Sequence, residues 1–361
     1  MSNVIVGLSG GVDSAVAALL LKQQGHNVAA AFMKNWDEDD AEGYCPAEED
    51  LADARAIADH LDIELHTVSF SSEYWSRVFA HFLDECKTGR TPSPDIICNR
   101  EIKFRAFLDY ATNLGADVIA TGHYARIETT PTVRLLKGLD ARKDQTYFLH
   151  TLTREQLLRS LFPLGELTKT AVRRLAESEG FRNHAKKDST GICFIGERRF
   201  SEFLARYLKK NPGDIRTLDN KTIGQHDGLM FYTIGQRQGL GIGGRRDSSG
   251  EAWYVVNKDM THNILTVAQG VNHPALYSPG LRARQLHWIA GSPAGTQGEY
   301  TARIRHQQPV QTCMLEMLNE QECMVSFRTP QRAVTPGQSV VFYQGEECLG
   351  GAIIEAAVTD I

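Results

Sequence analysis

The chain opens on an apolar run, NVIVGL at residues 3–8, which breaks into the glycine-rich stretch SGGVDS and resumes as AVAALLLKQQG. That order reads as a strand, a tight turn and a helix closed by Gly25. NVAAAFM, from Asn27, is a second strand. Over 48–61 the apolar residues Leu51, Ala54, Ile57, Ala58 and Leu61 share one helical face. IELHTVSF alternates as a third strand, and 73–87 reads as another helix. Residues 88–98 hold two prolines and a glycine and are expected to be loop, 103–114 helix, and DVIATGHY a strand ending in a turn. Strands alternating with helices predict an α/β fold, a doubly wound and mainly parallel sheet covered on both faces.

The rhythm changes after Tyr124. ARIETT and TVRLLKG suit a hairpin, helices are expected over 154–160 and 168–178, GICFI has a buried-strand pattern, and 200–210 a basic amphipathic helix. Beyond Asn211 the pattern is almost wholly β. From about Leu281 short alternating strands recur at turn-marked spacing, as in a small barrel or sandwich. Boundaries near 200–210 and 270–280 give three units: 1–205, a central β-rich unit over 206–275, and a C-terminal barrel over 276–361. A chain of 361 residues is long enough for that division.

Composition is that of an ordinary globular protein, with 42% hydrophobic and 23% charged residues. No apolar run approaches the ~18 residues of a membrane span. The start, MSNVIVGLSG, lacks a basic region ahead of a hydrophobic stretch, and seven scattered cysteines do not make a disulfide framework. The chain is therefore expected in the cytoplasm. Its net charge of −5 hides an uneven distribution. Residues 37–64 carry twelve acidic groups against Arg55 alone, whereas 168–216 carry twelve Lys or Arg against six Asp or Glu. A local basic surface can meet a polyanion on a chain that is acidic overall.

Ser9-Gly10-Gly11-Val12-Asp13-Ser14 falls between strand and helix, where a phosphate loop belongs. Glycines allow close approach of backbone to ligand, and successive amides with a helix N-terminus attract phosphate. Ser9 and Ser14 add hydroxyls, and Asp13 is a natural Mg²⁺ partner on the pyrophosphate side. The GK[ST] ending of a Walker loop is missing, so no lysine is supplied from within the motif. The loop resembles the SGGxDS signature of the ATP pyrophosphatase (PP-loop) superfamily, whose members transfer AMP to a carbonyl or carboxylate oxygen and release pyrophosphate.

Cys98 and Cys193 fit no adjacent-ligand metal spacing. Their surroundings carry the more specific resemblance. GLSGGVDS, SPDIICN, ATGHYAR, LDARKDQTYFL, KDSTGICFIGER and YTIGQRQGLGIGG, in that order, resemble the bacterial tRNA-specific 2-thiouridylase family along essentially the whole chain. The resemblance implies ATP-dependent thiolation of a wobble uridine, with Cys193 carrying a persulfide, Cys98 as its partner, and Asp95 as general acid or base. It implies ATP contacts at Gly7, Leu8, Ser9, Gly10, Gly11, Val12, Asp13, Ser14, Met33 and Gly122. Ser93, Pro94 and Asp95 would cradle the target base, and His123, Lys143, Asp144, Gln145, Arg305, His306 and Gln338 would touch tRNA. The family commonly has asparagine at the position of Ser93 and an aromatic residue at that of His306. A cysteine desulfurase or a sulfur-relay protein would be the donor. Cys45, Cys86, Cys313, Cys323 and Cys348 have no comparable surroundings.

That chemistry accounts for the residue types. A uridine C2 oxygen is a poor leaving group until adenylated, and the attacking sulfur must be anionic. Other PP-loop enzymes, such as amidotransferase-type or lysidine synthetases, use an amine and would not need paired cysteines. A nucleotide-sensing module would bind ATP without releasing pyrophosphate. An iron–sulfur cluster on Cys98, Cys193 and Asp95 is a third use of the same residues. It is not favoured, because two thiolates are fewer than such clusters take.

Overall fold

The computed structural model describes residues 1–37, 46–187, 200–243, 250–291 and 295–359. Its first sheet is parallel throughout. Strands β1 (Asn3–Gly7), β2 (Asn27–Lys34), β3 (Leu65–Ser69) and β4 (Val118–Ala120) are joined by a two-residue strand at Ser160–Leu161, which stands at the edge beyond β4. The spatial order is β3, β2, β1, β4 and then that edge strand. Period-2 alternation along β1 divides the core: Val4 and Val6 pack on α1 (Val12–Gln23) and α2 (Pro46–Leu61), while Ile5 faces the helical runs 71–87 and 94–113. Strand order reverses between β1 and β4, and ligands bind at such a reversal, outside the carboxyl ends of the strands.

Several expectations are corrected here. Pro94 does not break a loop; it opens the helix Pro94–Cys98 with Ser93 as N-cap, because proline at the first helical position loses no intrahelical donor. The runs 71–87 and 94–113 contain π-helical turns at Trp75–Phe79 and Asn99–Ala106. Ser160 ends no helix but enters the sheet, its hydroxyl bonded to the Gln156 carbonyl at 2.6 Å. Only Phe200–Leu204 of the expected 200–210 helix forms. The GICFI pattern lies outside the described residues.

The expected hairpin forms as β5 (Ala125–Glu128) and β6 (Arg134–Lys137), but β6 pairs with a strand of the C-terminal barrel rather than with the parallel sheet. A four-stranded sheet follows, in which β8 (Gly213–Thr217) and β9 (Thr222–His226) join β10 (Trp253–Asp259) and β11 (Ile264–Gln269), β7 being the edge strand Ser160–Leu161. The last six strands close a barrel. They are β12 (Tyr277–Trp288), β13 (Gln297–Arg303), β14 (Gln311–Met317), β15 (Glu322–Arg332), β16 (Ser339–Gln344) and β17 (Glu347–Val358), with β17 returning to β12. Closure removes the open edges that a six-stranded antiparallel sheet would expose. Among the described residues no helix is long and apolar enough to cross a membrane.

Candidate active site

The phosphate loop leaves β1 and enters α1 at the strand-order reversal. Gly10 has φ +75, and a Cβ there would stand 2.3 Å from the Asp50 carbonyl oxygen, so backbone conformation and space both require glycine. The Ser14 hydroxyl donates to the Gly11 carbonyl at 3.0 Å and accepts from the Ser9 amide at 3.1 Å, which curls the loop around its own helix start. Gly11, the N-cap, offers no side-chain cap, so the first amides of α1 are left for a ligand. Gly122, just past β4, approaches so closely that a Cβ would lie 2.8 Å from the Asp13 carbonyl carbon. Met33 lays its methyl 3.0 Å from where a Gly7 Cβ would be. The ATP residues expected from sequence are thus brought together.

The sequence reading missed Lys169. Its ammonium lies 2.8 Å from both carboxylate oxygens of Asp13, and Tyr124 Oη donates to Oδ1 at 2.7 Å. Lys169 is the first residue of the helix Lys169–Ser178, capped by Thr168, and that helix has no acidic residue in its first turn. A cation there opposes the helix dipole. That disfavoured placement was the available signal. Mg²⁺ fits Asp13, since such ions take one or two carboxylates and complete their shell with phosphate oxygens and water. Both Asp13 oxygens are engaged by Lys169 here. Among the described residues no group of three His, Cys, Asp or Glu is placed to hold a metal.

A second set of residues stands on the run 94–113. Cys98 is buried among Ile96, Ile97, Ile102 and the aromatic residues of 71–87. Burial raises the Asp95 carboxyl above its ordinary value, with Lys103 and His306 pulling the other way. Further along, Phe104 lies 5.6 Å from the His123 ring, and Phe107 is 3.4 Å from the Gly7 Cβ position. Phe107, farther along the run that begins with Pro94–Cys98, therefore packs against the end of β1 from which the phosphate loop springs. Cys193 lies outside the described residues.

Three family models match this chain in order: a tRNA methyl transferase HUP domain over 2–197, a tRNA methyl transferase PRC-barrel domain over 201–269, and an aminomethyltransferase β-barrel domain over 278–354. The chain is 58% identical over 356 residues to the tRNA-specific 2-thiouridylase MnmA of Methylococcus capsulatus, covering 98% of this chain and 96% of that protein. It is also 58% identical over 357 residues to the protein of that name from Pseudomonas putida GB-1, covering 99% and 95%. The chain belongs to the tRNA-specific 2-thiouridylase family.

In this member of the family the expected RNA contacts divide in two. Lys143 is half-buried in its turn, and Gln145 accepts the Tyr124 amide at 2.9 Å, linking that turn to the tyrosine that reaches Asp13. Asp144 faces inward: its carboxylate takes the Arg303 guanidinium at 2.9 Å and the Thr146 hydroxyl at 2.9 Å, and its carbonyl accepts His306 Nε2 at 2.8 Å. Arg305 spends its guanidinium on the carbonyls of Ile234 and Ala333. Gln338 donates to the Thr91 carbonyl at 2.7 Å, two residues before Ser93. His123 is not at the surface. It is buried with Nδ1 2.7 Å from Thr121 Oγ1, and desolvation, helped by Lys103, holds its pKa well below the ordinary 6.5, so the ring is neutral. In this conformation the side chains of Asp144 and Arg305 tie units of the chain together instead of offering themselves to solvent.

Proposed function

We propose that this chain thiolates C2 of the wobble uridine of tRNA in an ATP-dependent reaction. The observation that carries the reading is a glycine-built phosphate loop at the strand-order reversal, in a chain whose relatives along nearly its full length are named 2-thiouridylases. Unit 1–205 would hold the chemistry, with 206–275 and the barrel 276–361 gripping tRNA. Residues Gly7 to Ser14, with Met33 and Gly122, would bind ATP, and Lys169 would pass from Asp13 to the phosphates. Mg²⁺ on Asp13 would neutralise the departing pyrophosphate. Ser93, Pro94, Lys143, Gln145, His306 and Gln338 would orient the RNA, and His123 would support the pocket from within.

The uridine C2 oxygen attacks the α-phosphorus and pyrophosphate leaves. Asp95, whose carboxyl pKa is raised by burial, would serve as general acid or base. The terminal sulfur of a persulfide on Cys193 then bonds to C2 as AMP departs with the former C2 oxygen. The Cys98 thiolate attacks the Cys193 sulfur, the thiouridine sulfur leaves, and a Cys98–Cys193 disulfide remains. An external thiol reductant returns two electrons, and a cysteine desulfurase or relay protein reloads Cys193. Cys98, at 2% exposure, has to emerge from its apolar packing for that attack.

A methyl-transfer reading, which the wording of the family-model descriptions invites, leaves the phosphate loop without use, because a sulfonium methyl donor carries no phosphate. Uridine labelled with ¹⁸O at C2 separates these outcomes. The label is expected in AMP, with one pyrophosphate per thiolation. Pyrophosphate formed without label transfer would place adenylation elsewhere, and absence of pyrophosphate would overturn the reading.

A further inference from the structure

Lys169 and Tyr124 reach Asp13 from distant segments, and one turn of the chain, 138–146, holds both of them. Asp140 Oδ2 accepts the Lys169 backbone amide at 2.9 Å. That amide is one of the donors a helix start leaves without an intrahelical partner. The Asp140 carboxylate also brings to the helix Lys169–Ser178 the negative charge that its own first turn lacks. It thereby steadies a lysine placed against the positive end of the helix dipole. Asp140 is itself fixed by the turn, for Oδ1 accepts the Arg142 amide at 3.1 Å and its carbonyl those of Lys143 and Asp144 at 2.9 Å.

The second arm starts at Gln145. Its Oε1 accepts the Tyr124 amide at 2.9 Å, and its own amide donates to the Tyr124 carbonyl at 3.0 Å. Gly138, at the other end of the turn, closes on the same carbonyl, since a Cβ there would stand 2.8 Å from the oxygen. Tyr124 is 2% exposed, and this packing sets Oη on Asp13 Oδ1 at 2.7 Å. The turn also faces outward. Ala141 and Arg142 are exposed at its tip, Lys143 is half-buried, and Asp144 ties it to Arg303 of the barrel at 2.9 Å. By either arm, Asp140 to Lys169 or Gln145 to Tyr124, the turn stands two hydrogen bonds from the Asp13 carboxylate.

We propose that Asp140 and Tyr124 are positioning residues for the ATP reaction, through which RNA seated on the 138–146 turn acts on Asp13 and Lys169. This rests on the tRNA-thiolating function argued above, which puts Lys143 and Gln145 against RNA. The element with two arrangements is the Lys169 ammonium, on Asp13 here and on phosphate in the proposed reaction. RNA on the turn shifts Lys169 and Tyr124 together and favours the arrangement that receives phosphate. ATP and tRNA would then each tighten the other by the same factor.

The test uses the full-length chain with Mg²⁺, unmodified tRNA and an ATP analogue carrying a methylene group between its α- and β-phosphates. The analogue binds without releasing pyrophosphate, so binding is read apart from chemistry. The measured quantity is the ratio of its Kd without tRNA to its Kd with saturating tRNA. Wild type should give a ratio of about 5 to 150. Tyr124→Phe and Asp140→Ala should each bring it to within about twofold of one, and Asp140→Asn, which keeps a carbonyl for the Lys169 amide, should retain most of it. Tyr124→Phe leaves the backbone bonds of the turn in place and should bind tRNA alone within about threefold of wild type. A wild-type ratio of one or below would overturn the proposal, as would wild-type ratios in Tyr124→Phe and Asp140→Ala. Weaker binding of both ligands with the ratio intact would leave these residues a structural role only and overturn it too. If the wild type binds neither tRNA nor the analogue, the thiolation reading itself fails.

Discussion

Lys169 spans Asp13 across 156 residues of sequence, with its ammonium 2.8 Å from each carboxylate oxygen. The pair stands at the mouth of the phosphate loop, with the Lys169 side chain 12% and that of Asp13 32% exposed. In a pair this far out of water, much of the attraction is offset by the cost of desolvating the two charges, so its net contribution to stability is small. On the function proposed above, its value would lie in keeping a cation in reserve beside incoming phosphate.

Lys169→Met should therefore leave the melting temperature within a few degrees of wild type. It should weaken ATP binding or slow pyrophosphate release by about 10- to 100-fold, the worth of a charge-assisted hydrogen bond. Lys169→Arg should recover part of the loss. ATP titration and thermal unfolding on the same preparations check both arms.

Gly122→Ala tests the close approach of the strand end to the loop. A methyl group 2.8 Å from the Asp13 carbonyl carbon and 2.9 Å from the Ser14 nitrogen has to push backbone. A cost of about 1–3 kcal/mol is expected, together with lost ATP affinity, because the displaced amides are the ones offered to phosphate. Gly25→Ala is the control. It needs a positive φ of +82 but meets nothing within 4 Å, so its substitution should lower stability and spare ATP binding.

Asp95 gives a pH prediction. Burial raises its folded pKa above the unfolded value, so its relative stability contribution is present below the unfolded carboxylate pKa and is lost as pH rises through the folded one. Asp95→Asn should then raise the melting temperature at pH 7, with the gain shrinking toward pH 4, while thiolation falls. Melting curves across that range decide the sign.

The join between barrel and catalytic sheet rests on Asp144 and Arg303, 2.9 Å apart with the aspartate side chain 1% exposed. Arg303→Met strands a buried carboxylate and should cost about 3–5 kcal/mol, whereas Asp144→Asn with Arg303→Met should recover part of it. Denaturant unfolding of the two single variants and the double measures the coupling.

The first strands, the phosphate loop and the closing barrel were legible because each is local: a period of two, a glycine run, turn-marked strands. What escaped depends on distance in sequence. Nothing near Thr168 announces Asp13, and nothing in TVRLLKG announces that Leu136 will pair with Glu347 in the barrel. Pro94 was misread because proline serves equally as a loop residue and as a helix opener, and only the packing of Ile96 and Ile97 decides between them. The burial of His123, expected to touch tRNA, was not legible because the rings around it, Phe104 and Phe162, come from other segments.

The most direct test supplies ATP, Mg²⁺, a persulfide donor and unmodified tRNA to the purified chain and measures 2-thiouridine by nucleoside mass spectrometry. Wild type should form it at the wobble position, Cys193→Ser should form none, and Cys98→Ser should stall before release. Pyrophosphate accumulating with no thiolated base in wild type would contradict sulfur transfer, leaving only adenylation.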